Sequence, residues 1–435
     1  MTPPRGWLRG RSESPRIGPS SSRSSERNTR IGVCSNGARP RAHSLSTMYR
    51  GDYEGEEGGP NAREGLHHDN WLVPAEQGLW QLSKRLFLEV EASTPRPERV
   101  RQDAAARRQD MVANLVANLA LLTAYHPSGS RLIISTRQPK HSRYMRPQYP
   151  AKAFMAVVGA LEKLGYLDRV AGTYNGLRTT LSPTEGLRHH LPRFGETPAL
   201  DRLSGAESIL LKAPAERGKG MVLVDYCDTP ETVRLRAEMA IIIAGINDAC
   251  ITLDGQRQPP VHLVRQFRVD DRIGPPRFDA HGRIYWGFWE SLERVRRRDL
   301  RINGHPVAEL DYSGMFARLA YAEAGIAPPQ GDLYEGLGMS REAGKLAISS
   351  LLSRIGPMVR LSDDFKAELG KGWSGSRVTA AVAAKHPLIV PLFGQGIWPR
   401  LMFTESQIMV AVLLEALAEG IVALPIHDGL LVGEP

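Results

Sequence analysis

The sequence predicts an α+β fold, and three stretches of the chain carry that prediction. Residues 306–310 form an apolar run typical of a strand, and residues 314–324 then show helical spacing up to a glycine. Residues 421–432 predict a β-hairpin, because two apolar runs flank a short turn. Residues 71–125 place leucines close to helical spacing. Helices and short strands are therefore expected throughout the chain.

An aspartate lies where each of the two C-terminal strand patterns ends. Asp311 follows the first strand, and Asp428 lies in the hairpin turn between His427 and Gly429, where glycine is expected to supply an unusual backbone angle. Two carboxylates on neighbouring strand ends can hold a pair of magnesium ions, as in-line phosphoryl transfer requires. The alternative is that both are ordinary turn residues, since turns favour Asp.

Four elements in this half resemble, in the same order, motifs of the palm and fingers of family A DNA polymerases. Residues 311–318 match the first palm motif, which is Asp-Tyr-Ser, four residues, Arg. Residues 331–334 resemble a short Asp-x-His/Tyr element, and residues 341–345 match the Arg-x-x-x-Lys of the fingers helix. Residues 426–428 match the last palm motif, whose hairpin is also similar to that of phage-type single-subunit polymerases. The resemblance covers about residues 305–435.

The resemblance implies a two-metal nucleotidyl transfer site. Asp311 and Asp428 would hold two Mg²⁺, with the Tyr312 carbonyl as a further ligand. One ion would activate a primer 3′-hydroxyl, and the other would neutralise the leaving pyrophosphate. The catalytic residues implied are Asp311, Asp428, Lys345 and His427, the last positioning the primer end.

The resemblance also implies how an incoming nucleoside triphosphate is bound. Arg341 and Lys345 lie on one face of a helix that Ser340 is expected to cap, and two cations near a helix N-terminus favour a triphosphate. Phe316 falls five positions after the first aspartate, where the family places the residue beneath the sugar. Its alternative role is packing in the palm core. Arg318 would be structural or would contact nucleic acid.

Several positions depart from the family pattern. Ser349 stands where an aromatic residue stacks on the incoming base, Ser353 where a tyrosine is expected, and Gly429 where a glutamate often follows His-Asp. These departures leave open a second class, a non-catalytic DNA-binding replication or regulatory protein with a degenerate palm. A metal-dependent hydrolase would need more carboxylates than the pattern supplies.

The N-terminal half predicts a nucleic-acid-binding module. Residues 131–152 contain six cations, two tyrosines and no acid, which suits phosphate contacts with rings for stacking. A solvated loop with incidental charge is the alternative. Residues 154–181 then predict a helix, a strand, a turn and a returning strand, an order that resembles a winged-helix module. The candidate nucleic-acid contacts are Arg137, Lys140, Arg143, Tyr144, Arg146, Arg178 and Arg318.

Two further segments bear on the core of the C-terminal half. Residues 404–407 predict a capping box that opens a buried helix running to Gly420. Residues 278–301 combine five aromatic rings with six arginines, a pattern that suits either nucleic-acid contact or a domain interface.

Composition and charge set the expected domain organisation. The first 50 residues contribute +8 of the net charge of +9, so the body is not globally basic. We expect a disordered Arg/Ser-rich tail over 1–60, a helical and winged-helix-like domain over 66–200, a connector or thumb-like region over 201–300, and a palm over 301–435 with short fingers at about 326–400. The expected partners are template-primer DNA and nucleoside triphosphates. The expected location is the cytoplasm, in association with the nucleoid, and organellar targeting by the Arg- and Ser-rich tail is the alternative. No apolar run approaches the length of a membrane span.

Overall fold

The computed structural model describes residues 65–93, 102–135, 143–173, 178–215, 220–269, 276–426 and 428–434. The tail expected over 1–60 lies outside these residues. The strands are β1 Gly65–His67, β2 Leu72–Pro74, β3 Arg131–Ile134, β4 Leu167–Val170, β5 Thr179–Pro183, β6 Leu200–Arg202, β7 Ile209–Pro214, β8 Met221–Leu223, β9 Ile251–Leu253, β10 Gln256–Arg257, β11 Val264–Arg268, β12 His281–Tyr285, β13 Leu300–Ile302, β14 His305–Asp311, β15 Ala423–Ile426 and β16 Gly429–Gly433. The helices are α1 Gln77–Ser93, α2 Gln102–Tyr125, α3 Ala151–Lys163, α4 Glu185–Arg188, α5 Pro230–Asp248, α6 Met315–Glu323, α7 Arg341–Ser353, α8 Asp363–Leu369, α9 Gly375–Lys385 and α10 Trp398–Ala418. The fold is mixed α+β, as the sequence predicted.

The N-terminal region packs three helices against a four-stranded sheet. The strand order is β1-β3-β5-β4, with β3 and β4 antiparallel to β5, and β1 parallel to β3. Helix α1 buries Leu79, Leu82, Leu86 and Val90, which recur every three or four residues along one face. Helices α2 and α3 bury their apolar faces in the same core.

The middle region contains a second four-stranded sheet with the order β12-β11-β7-β8. Strand β7 runs parallel to β11, and the other two pairs are antiparallel. Helix α5 begins at a capping box in which Thr229 and Thr232 exchange hydrogen bonds, and Pro230 occupies its first turn. The stretch expected to be a connector thus contributes most of a hydrophobic cluster, which also includes Tyr144 from the N-terminal half.

A six-stranded antiparallel sheet holds the two aspartates. Its order is β10-β9-β13-β14-β16-β15, so strands from residues 251–302 and from residues 305–433 belong to one sheet. Helices α5 and α10 pack on it, and the shared core includes Trp289, Leu413 and Leu424. The predicted domain boundary near residue 301 thus falls inside a sheet.

Helices α6 to α9 form a separate apolar cluster together with the first turns of α10. Helix α10 begins at Trp398, with Pro399 in its first turn, so the predicted start at a capping box over residues 404–407 is wrong. Thr404 donates a hydrogen bond to the Arg400 carbonyl inside the helix instead. By length and composition α10 could span a membrane, a test that core helices of soluble proteins also pass, and 39% of its most apolar window is buried in the protein.

Candidate active site

The pairing of β14 with β16 brings the two aspartates to one end of the sheet. Asp311 is the register partner of Gly429, the residue after Asp428. A Cβ at Gly429 would lie 2.8 Å from the Leu310 carbonyl oxygen, so glycine permits the close approach of the two strands. Gly429 is not in the left-handed region, which corrects the expected role of its backbone angle.

A sharp turn connects Asp311 to helix α6. Gly314 adopts φ 67°, a left-handed conformation that glycine tolerates without strain. The Arg318 guanidinium donates from Nε to the Ser313 carbonyl at 2.8 Å, while its side chain remains exposed. Arg318 therefore braces this turn, and Tyr312 lies exposed within it.

Repulsion between carboxylates acts on Asp311. Partial burial and the charge of Asp428 raise the pKa of Asp311 above its ordinary value. The backbone N–H of Tyr312 and the charge of Lys345 lower that pKa, without cancelling the rise. Asp311 and Asp428 thus form a pair of like charges that a cation at this end of the sheet would relieve.

Helix α7 supplies the cation that opposes this pair. The hydroxyl of Ser340 accepts a hydrogen bond from the Ala343 backbone at 3.1 Å and caps the helix, as predicted. Lys345 is exposed and forms no ion pair with the residues that the structure describes. Arg341 instead donates from Nε to Asp332 at 2.7 Å, so its guanidinium is already engaged by a carboxylate.

Close packing fixes α7 on the loop that carries Asp332. A Cβ at Gly344 would lie 2.2 Å from the Tyr334 carbonyl oxygen. Tyr334 is buried beneath the helix, and the guanidinium of Arg341 lies 5.6 Å from the centroid of its ring. The loop over residues 331–334 and the start of α7 are therefore one packed unit beside Asp311.

Behind the aspartates lies a buried ion pair that sequence reasoning missed. Arg283 on β12 donates from Nε and Nη2 to the two carboxylate oxygens of Glu405 on α10, at 2.6 and 2.9 Å. Burial raises the pKa of Glu405, and Asp428 and Asp311 add to that rise, while Arg283 opposes it. The long sequence separation of the two partners left no local signal from which to find them.

Phe316 lies between this ion pair and the helical cluster. Its ring stacks on Trp398 with centroids 3.7 Å apart and planes at 14°, and the Arg283 guanidinium lies 5.6 Å from its centroid. The side chain of Phe316 is buried. This packing favours the core role for Phe316.

The chemistry of the donor set fits a hard divalent cation. Asp311 and Asp428 offer carboxylate oxygens at neighbouring strand ends, which are the ligands that Mg²⁺ prefers. Among the described residues there is no group of three or more His, Cys, Asp or Glu side chains arranged to hold a metal ion. His427, expected to position a primer end, lies outside the described residues.

The structure corrects much of the predicted nucleic-acid surface in the N-terminal half. Tyr144 is buried, and its hydroxyl donates to the Val224 carbonyl. Arg146 is buried and bonds to Asp110 and the Asn70 carbonyl. These side chains are not available for stacking or phosphate contacts, because they join parts of the protein.

The other predicted nucleic-acid contacts differ in their surroundings. Arg143 pairs with Glu207 and Asp228 and lies over the Tyr226 ring, so its charge is satisfied internally. Arg178 is half-buried, with Nη1 3.5 Å from the His67 ring. The predicted contacts Arg137 and Lys140 lie outside the described residues.

Helix α3 presents two exposed lysines on one face, Lys152 from the predicted basic patch over residues 131–152 and Lys163, which was not part of that prediction. Lys152 and Lys163 are exposed, and eleven residues, or about three helical turns, separate them on one face. Ala156 and Gly159 lie between them on that face, so the strip is narrow and flat. The spacing of the two lysines was the available signal.

Comparison of the chain with protein-family models, with curated proteins and with solved structures finds no match in any of the three.

Proposed function

We propose that this protein is a template-directed nucleotidyltransferase of the DNA polymerase type, acting in plasmid or phage replication. The observation that carries the proposal is the register of β14 with β16, which sets Asp311 opposite Gly429, the residue after Asp428, while the charge of Lys345 partly offsets the rise in the pKa of Asp311.

In this proposal, the acidic residues bind the metal ions and the basic residues bind the triphosphate. Asp311 and Asp428, with the Tyr312 carbonyl, would hold two Mg²⁺, which supply a polarised hydroxyl nucleophile and charge neutralisation when bound. Lys345 would bind the triphosphate as a free cation. Arg341 would join it after exchanging Asp332 for phosphate, since both are oxygen acceptors for its guanidinium.

Primer extension tests the proposed reaction. The purified protein is incubated with a labelled primer-template, Mg²⁺ and either deoxynucleotides or ribonucleotides. Extension is expected for the wild-type protein and should fall at least about a thousandfold in Asp311→Asn and Asp428→Asn, because each removes a ligand of the reacting centre. Asp363→Asn is the matched control, since that exposed aspartate pairs only with Lys366 among the described residues. Equal extension by all three variants would exclude the proposed site.

In this proposal, the N-terminal region would bind the DNA duplex. A helix followed by a two-stranded wing is the winged-helix arrangement, and the strip of Lys152 and Lys163 is the exposed basic face of that helix. The double substitution Lys152→Ala/Lys163→Ala should reduce the slope of log affinity against log salt by about 2, since each phosphate contact contributes about 0.9. Lys84→Ala on α1 serves as control, and an unchanged slope in the double variant would place the DNA elsewhere.

A second candidate, a DNA-binding protein with an inactive palm, is favoured by one observation. Arg341, a residue that should bind triphosphate, is held by Asp332 at 2.7 Å. Asp332→Asn releases the Arg341 guanidinium and distinguishes the two candidate functions. An active enzyme should bind nucleoside triphosphate more tightly after this change, whereas an inactive palm should show no triphosphate binding in either form.

A further inference from the structure

The buried pair of Arg283 and Glu405 is held by unusually close packing of its two elements. A Cβ at Gly282 would lie 2.7 Å from the Ser406 hydroxyl, so β12 and α10 approach each other directly beside the pair. Glu405 is 1% exposed and the Arg283 side chain 16% exposed. The two-pronged contact at 2.6 and 2.9 Å gives the pair a fixed orientation.

The surroundings of the Arg283–Glu405 pair include acidic groups and an aromatic ring. The charge of Asp428 acts on Arg283, and the charges of Asp428 and Asp311 act on Glu405. The ring of Phe316, which stacks on Trp398 and follows Asp311 by five residues, lies 5.6 Å from the guanidinium. Among the described residues, the carboxylate that would still act on a guanidinium without Glu405 is Asp428, the partner of Asp311 at the end of the sheet.

We propose that Glu405 is a positioning residue that holds Arg283 away from Asp311 and Asp428 and so keeps both aspartates open to divalent cations. This inference rests on the proposed function, in which those aspartates bind metal. A partly buried arginine without a partner is costly, and it pairs with whichever carboxylate it can reach. An Arg283–Asp428 pair would occupy the oxygens that a cation needs.

The substitution Glu405→Gln tests this role because it keeps the shape of the side chain and removes its charge. Binding of Mn²⁺ alone to the full chain is measured by electron paramagnetic resonance, without nucleotide or DNA. Glu405→Gln should weaken Mn²⁺ binding by about 10- to 100-fold, the usual effect of losing a partner that orients a metal site. Glu405→Asp keeps the charge but shortens the reach, and it should weaken binding by a smaller factor.

The double variant Arg283→Gln/Glu405→Gln separates positioning from a structural role. Removing the guanidinium removes the competitor, so Mn²⁺ binding should return to within about threefold of wild type. Glu207→Gln is the matched control, since Glu207 is also buried and pairs with Arg236, away from this end of the sheet. The control should bind Mn²⁺ as the wild-type protein does.

Two results would overturn the inference: wild-type Mn²⁺ affinity in Glu405→Gln, or a double variant as weak as Glu405→Gln. Should Glu405→Gln not fold, the comparison of Glu405→Asp with the double variant gives the same decision. Failure of the proposed function is a different result. In that case the wild-type protein binds Mn²⁺ through Asp311 and Asp428 and extends no primer, and the positioning role of Glu405 still stands.

Discussion

At the scale of single residues, the two carboxylates of the candidate site repel each other. Asp311 has a raised pKa because of partial burial and the neighbouring charge of Asp428. A carboxyl group whose pKa is higher in the folded protein favours folding while it is protonated. That contribution is lost as the pH rises through the folded pKa. At neutral pH the ionised pair therefore destabilises the metal-free protein.

We accordingly predict that Asp311→Asn raises the melting temperature at pH 7 in the presence of a chelator by only about 1 °C, because Asp311 is exposed and water screens the repulsion, and because the shift per unit of free energy is small for a chain of 435 residues. The gain should vanish below about pH 3.9, where the aspartate of the unfolded chain is also protonated. Differential scanning fluorimetry across this range measures it. Added Mg²⁺ should stabilise the wild-type protein and leave the variant unchanged. A variant less stable than wild type at pH 7 would show that Asp311 forms favourable contacts instead.

Phe316 gives a second prediction at this scale. Its buried ring stacks on Trp398, so Phe316→Ala should lower the free energy of unfolding by about 3–5 kcal/mol. Urea titration measures the loss, and Phe194→Ala is the control, because Phe194 is 67% exposed. A stable Phe316→Ala variant that gains ribonucleotide incorporation would assign Phe316 to sugar selection.

Site residues could be predicted from the sequence where the pattern that marks them is local, but not where two partners lie far apart in the sequence. Asp311, Asp428 and the cap at Ser340 follow from local patterns, since each lies at the end of a periodic stretch. The Arg283–Glu405 pair joins residues 122 positions apart, and no local pattern marks such a contact. The roles of Arg143, Tyr144 and Arg146 were misjudged for a related reason. Charge and aromaticity in sequence do not say whether a side chain faces solvent or a distant carboxylate.

At the scale of elements, the position of helix α7 depends on Gly344, which has no side chain. Gly344 faces the Tyr334 carbonyl so closely that a methyl group would lie 2.2 Å from it. Gly344→Ala should therefore push the helix off the loop over residues 331–334 and cost about 1–3 kcal/mol in unfolding free energy. The same change at Gly159, inside α3 with no atom within 4 Å of its Cβ position, should stabilise by up to about 1 kcal/mol. Chemical denaturation of both variants measures the contrast. Equal stabilisation in the two would mean that α7 shifts without cost.

The strands and helices that the sequence predicted best are those with strong local signals. Apolar runs that end at turn residues marked β14, β15 and β16, and leucine spacing marked α1 and α2. The start of α10 was misplaced because residues 404–407 match a capping pattern inside a helix that tertiary packing extends by two turns. The middle sheet was overlooked since its strands are short and pair out of sequence order.

At the scale of the whole molecule, one partly buried histidine in the N-terminal region and one in the middle region make the stability depend on pH. Burial lowers the pKa of His68 to about 4 and that of His262 to about 4. Histidine in the unfolded chain takes up a proton near pH 6.5, whereas these two stay neutral while folded. Stability should therefore fall as the pH drops from about 6.5 towards 4.

Urea titration can measure how far the free energy of unfolding falls at low pH. At pH 5 each histidine should account for a loss on the order of 1–2 kcal/mol relative to pH 7.5. The variants His68→Gln and His262→Gln should each flatten the pH profile of the unfolding free energy obtained from urea titrations. His189→Gln, whose side chain is 72% exposed, should leave the profile as it is. A wild-type profile that is flat between pH 7.5 and 5 would show that water reaches both rings.

The strand order of the six-stranded sheet also governs the sequence of events during synthesis. The helices and strands over residues 65–202 share one core and can be completed early in translation. Strand β14 must wait for β16, more than a hundred residues later, before its second edge is paired. Until then a nascent chain exposes that edge and keeps Asp311 apart from Asp428. The two acidic groups therefore come together only after residues 429–433 have left the ribosome.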